Sequence, residues 1–61
     1  MMFSERYDDE ILATAYRVST RILGGESFRK IAESLRLIGW YPTEVGKILY
    51  KAKIMAYRGN G

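Results

Sequence analysis

The chain has 61 residues, 48% of them hydrophobic or aromatic, with ten Lys/Arg against seven Asp/Glu and neither cysteine nor histidine; that is one domain, or part of one. Disulfide staples, a Cys/His zinc site and thiol or imidazole catalysis are thereby excluded. No carboxylates are paired at cleft-making positions and no glycine-rich phosphate loop follows a strand, so a protein that is not an enzyme and carries no metal or cofactor is expected.

No apolar run approaches the ~20 residues of a membrane span, and the N-terminus lacks the apolar stretch of a secretion signal. A cytoplasmic chain with no membrane partner and no small-molecule substrate is the expectation. The net charge of +3 is unevenly spread. Glu5, Asp8, Asp9 and Glu10 hold four of the seven acids, while only Arg6 among the ten bases precedes residue 11, which leaves nine bases and three acids over 11–61. A basic body behind an acidic start fits phosphate binding. A chain this short buries only about 60% of its unfolded surface, and it has no staple, so the abundant apolar residues point to burial between chains and a homodimer, with unusually tight packing within a monomer as the rival account.

In chain order, residues 1–7 read as a short extension and helix one as about 8–23, capped by Asp8 with Asp9 and Glu10 in its first turn. Ile11, Ala15, Val18 and Ile22 form one stripe, and Leu12, Tyr16, Ser19 and Leu23 a second beside it. Gly24-Gly25 ends the helix. Helix two, about 27–38, opens on Ser27 as cap, buries Phe28, Ile31, Ala32, Leu35 and Ile38 along one face, and stops at Gly39. Leu37 points away from that stripe, and Trp40 with Tyr41 makes an aromatic corner, the indole lidding the end of the core. Helix three, about 43–57, begins near Pro42-Thr43-Glu44, with Thr43 offering a cap, and ends at Gly59-Asn60-Gly61. Its core band is Val45, Ile48, Leu49, Ala52, Met55 and Ala56. Lys47, Lys51 and Arg58 make a basic stripe, and Gly46, Tyr50, Ile54 and Tyr57 an outer band.

Two short helices around a glycine-marked corner read as a helix-turn-helix within an all-α, three-helix unit. Arg29 and Lys30 sit in the first turn of helix two, where positive charge opposes the helix dipole and costs a few tenths of a kcal/mol each. A phosphate against the helix start would reward them; an Arg29–Glu33–Arg36 surface network is the rival explanation. If helix three is the reading helix, its N-terminal half nominates Thr43, Gly46, Lys47 and Tyr50 for base contacts and Lys51 for phosphate. A mid-helix glycine costs about 1 kcal/mol relative to alanine, so Gly46 implies close approach of a groove wall or another helix. The outer Tyr50, Ile54 and Tyr57, or the second stripe of helix one with Leu12 and Tyr16, are candidate dimer surfaces, with Leu37 and Trp40 also assigned to an interface.

The pattern Gly25-x-Ser27-x-Arg29-x-Ile31-Ala32-x-x-Leu35, then Gly39, then Val45-x-x-Ile48-Leu49, resembles the helix-turn-helix DNA-binding region of serine recombinases and related resolvase- or transposase-like proteins, over about residues 25 to 49. The resemblance implies a homeodomain-like three-helix fold whose last helix enters the major groove, with Ser27 and Arg29 near phosphate and Thr43 and Lys47 toward bases. The family's catalytic domain is absent, so its recombinase activity is not implied. The Leu35-to-Val45 spacing is also three residues longer than in the compact form of the motif. A sequence-specific duplex-DNA-binding regulator is therefore the expected function. A protein–protein interaction module working through Tyr50, Ile54, Tyr57, Leu37 and Trp40 is the alternative, and an RNA-binding role comes third.

Overall fold

The computed structural model describes the backbone of residues 2–59 and the side chains of residues 8–58. Three helices follow one another, α1 (Met2–Leu23), α2 (Phe28–Leu37) and α3 (Pro42–Gly59), and no strand occurs among the described residues. None of the helices is long and apolar enough to cross a membrane.

Helix α1 starts well before the expected boundary. Residues 2–7 are helical rather than a loose extension, so Asp8 lies inside α1 and does not cap it. The physical reason is that this segment contains no glycine or proline to stop a helix. Helix α3 likewise begins one residue early, at Pro42, and Thr43 is not its cap. Tyr41 takes the cap position: its carbonyl accepts the Val45 N–H at 2.9 Å, and its own N–H donates to Glu44 Oε1 at 2.7 Å. That is the returning half of a capping box. At the other end α3 includes Gly59, the first residue of the expected stop; Asn60 and Gly61 lie outside the described residues.

Both interhelix corners use the same device. After α1, the Glu26 N–H donates to the Arg21 carbonyl and the Gly25 N–H to the Ile22 carbonyl, with Gly25 at φ 93°. After α2, the Trp40 N–H donates to the Leu35 carbonyl and the Gly39 N–H to the Arg36 carbonyl, with Gly39 at φ 110°. Each is a Schellman ending, whose left-handed residue favours glycine. Apolar contact between the residue two past the helix end and the last turn commonly accompanies this ending. Trp40 follows that pattern, packed on the cluster that contains Leu35. In α1 the equivalent positions are Arg21 and Glu26, and an ion pair stands in for the apolar contact. Gly39→Ala forces a Cβ into the left-handed region and should cost about 1–2 kcal/mol, lowering Tm by on the order of 5–10 °C in a thermal melt followed by circular dichroism.

The core is one cluster of Ile11, Ala15 and Val18 from α1, Ile31 and Leu35 from α2, and Val45, Ile48 and Ala52 from α3. Its principal contact is α1 against α3, where buried Ala15, Ala52 and Ala56 leave room for the two backbones to approach. Ser19 is also buried, and its hydroxyl is satisfied by donating to the Tyr16 carbonyl at 2.6 Å. Two residues of the expected α2 stripe do not reach the core: Phe28 is 42% exposed and Ile38 73%. They sit at the two ends of a ten-residue helix, Ile38 as its C-cap, and the chain turns at Gly39 so that Trp40, rather than Ile38, packs against the core cluster. The Cα trace measures 35 × 26 × 14 Å. A slab this thin has little interior, so several large apolar side chains remain outside.

Candidate nucleic-acid interface

The start of α2 is built by Ser27. Its backbone is extended (φ −73°, ψ 146°), and its hydroxyl accepts the Lys30 N–H at 3.2 Å. The Ser27 carbonyl accepts the Ile31 N–H at 3.1 Å. The first two amides of the helix, of Phe28 and Arg29, have no intrahelical acceptor, as helix geometry requires. No acidic residue occupies this first turn, and Arg29 and Lys30 are both exposed. The rival surface network is not formed: among the described residues no ion pair joins Arg29, Glu33 and Arg36. The helix therefore presents two cations and a positive dipole end together.

On α3, Thr43, Gly46, Lys47, Tyr50 and Lys51 are all exposed. Spacing puts Lys47, Lys51 and Arg58 along one side of the helix. A Cβ added at Gly46 would meet nothing within 4 Å, so no packing within the chain requires glycine there. Tyr50 belongs to two sets at once. It lies near the candidate base contacts, but it also lines a shallow concavity with Lys53, Ile54, Tyr57 and Arg58.

Of the candidate dimer residues, Leu12, Tyr16, Leu37, Ile54 and Tyr57 are exposed, Leu37 the most at 82%. Trp40 differs, being half-buried against the chain's own core. Leu12 and Tyr16 share the outer face of α1 with Leu23, whereas Leu37 projects from the far end of α2 beside exposed Ile38.

Sequence reasoning missed one polar cluster. Arg21 Nε donates to Glu26 Oε1 at 3.1 Å, its Nη2 pairs with Glu26 Oε2, and the same nitrogen lies 3.4 Å from Ser34 Oγ. One guanidinium thus ties the end of α1 to the corner and to the middle of α2, and so sets where the basic start of α2 stands. The signal was present in the five-residue spacing of Arg21 and Glu26 across Gly24-Gly25. The hydrogen bonds from Arg21 hold the Glu26 carboxyl below the usual glutamate range, with the charges of Arg21 and Lys30 adding to the effect. Arg21 is raised in turn, chiefly by the same hydrogen bonds. A carboxyl depressed in the folded state contributes stability above its unfolded pKa and loses it as pH falls through the folded value. Glu26→Gln should therefore melt lower than the parent at neutral pH, and the two should converge in acid. Melts recorded from pH 7 down to pH 3 check this.

The class defined so far is an all-helical, three-helix chain with exposed cations on α2 and α3. Compared with protein-family models, with curated proteins and with solved structures, the chain matches none.

Proposed function

We propose that this chain is a non-catalytic helix-turn-helix protein that binds duplex DNA as a homodimer, in the manner of a small transcriptional regulator. In this reading α3 lies in the major groove. Thr43, Gly46, Lys47 and Tyr50 face the bases, Lys51 lies on phosphate, and Ser27, Arg29 and Lys30 hold the flanking backbone. The likeness of residues 25–49 to the DNA-binding region of serine recombinases supports it. So does the four-residue connection, Ile38 to Tyr41, between α2 and α3.

The observation that carries the reading is Gly46. Glycine in mid-helix weakens the helix by about 1 kcal/mol, the space beside it is open, and the surface around it is cationic. Close approach of a surface outside the chain would account for the glycine, and a groove wall fits both properties. Gly46→Ala should thus act with opposite signs on two measurements. It raises Tm by roughly 4–8 °C, and it weakens retention of duplex in an electrophoretic shift assay. Retention that is unchanged, or that is absent in the parent protein at low salt, overturns the reading.

A further inference from the structure

Two exposed apolar faces of this molecule carry opposite charge. On α1, Leu12 and Tyr16 lie outside the core, and helical spacing sets the exposed Asp8 and Asp9 on the same face, one turn before Leu12. On α3, Tyr50, Ile54 and Tyr57 line a concavity of about 480 Å³, and its charged rim is Lys53 and Arg58. The two faces also match in length: Asp9 to Tyr16 and Tyr50 to Tyr57 each span seven residues, about 10 Å of helix axis.

We infer that the acidic, apolar face of α1 docks into the basic-rimmed α3 concavity of a second copy of this chain. The inference deepens the dimeric part of the function proposed above and does not depend on DNA. Asp8 and Asp9 of one copy meet Lys53 and Arg58 of the other, while Leu12 and Tyr16 cover Ile54 and Tyr57. Each copy carries both faces, and in the twofold arrangement proposed here the contact is made twice.

The surface area agrees. The chain exposes 4841 Å², whereas a compact monomer of its 7.0 kDa exposes about 4000 Å². Covering Leu12, Tyr16, Ile54 and Tyr57 together with the four charged side chains removes part of that excess, against roughly 800 Å² per partner in a standard interface. Along α3 the work is then divided, with the N-terminal half left for DNA and the C-terminal half covered by the partner.

The test is the solution mass of the whole chain without DNA, by sedimentation equilibrium, for the parent and three charge-reversed variants. The parent should be a dimer. Asp8→Lys with Asp9→Lys, and separately Lys53→Glu with Arg58→Glu, should each raise the dimer Kd by about tenfold or more through like-charge contact. All four reversals in one chain should restore the parent value. Because the chain has no cysteine, Leu12→Cys and Ile54→Cys proteins can also be mixed and oxidised, and the mixed disulfide should dominate over either homodimer. A monomeric parent, a mass that grows without limit, failure of the fourfold variant to recover, or a product dominated by the Ile54→Cys protein crosslinked to itself overturns the inference. All the reversed positions are exposed, and circular dichroism of each variant reports the fold. Duplex retention by the parent, measured separately, judges the DNA reading on its own.

Discussion

Replacing Lys47 and Lys51 together by alanine should weaken duplex binding by roughly 10–100-fold near 0.1 M salt and reduce the slope of log K against log salt by about one for each lysine that meets a phosphate. Both residues are exposed on the N-terminal half of α3, one turn apart, so they would meet adjacent phosphates or a base and its phosphate. The affinity comes from counterions released when a lysine neutralises a phosphate. Each lost contact therefore removes about 0.9 from the slope as well as its share of the binding energy. Alanine is at least as good a helix former as lysine, so the helix itself tolerates both changes, and circular dichroism of the double variant reports the fold. Titrations at two salt concentrations give the answer, and curves that superimpose on the parent's remove these lysines from the interface.

The largest effect on stability should come from Ile48→Ala. Ile48 is fully buried in the middle of α3, in one cluster with residues of α1 and α2. Deleting its outer carbons costs their transfer energy and leaves a cavity, about 2–5 kcal/mol in all. Domains of this length are stable by roughly 3–9 kcal/mol, so the variant should lose much of its cooperative melt. Ile48→Val, at about 0.5–1.5 kcal/mol, should keep it. A full-strength melt for the alanine variant would mean that α3 is not the element on which the core closes.

Much of this fold was legible in the sequence because the apolar spacing is regular where the core is. Ile11, Ala15 and Val18, and Val45, Ile48 and Ala52, read as buried and are buried. Ser27 and Gly39 read as the two ends of α2; Ser27 is its N-cap, and Gly39 is the left-handed residue just past the cap at Ile38. Failures fall at helix ends, where a 3.6-residue phase stops predicting direction. Asp8 looks like a cap but sits in a segment with nothing to break a helix, and Ile38 keeps the phase while the chain has already begun to turn. The Arg21–Glu26–Ser34 cluster was only partly legible: the Arg21–Glu26 spacing across Gly24-Gly25 hints at the pair, whereas the contact with Ser34 depends on how α2 is placed against α1. The candidate interface was legible as charge on two helices. How α2's start stands relative to α3 depends on the interhelix angle, which periodicity does not encode.

The two Schellman endings differ in what locks them, and the difference has a consequence for how the molecule could come apart. Indole packed on the apolar core holds the second bend by a force indifferent to ions. The first bend is clasped by a guanidinium and a carboxylate, whose attraction fades with added electrolyte and vanishes on protonation. Acid or brine should therefore loosen the α1–α2 bend before the α2–α3 bend, while α1 stays packed on α3 through the shared core.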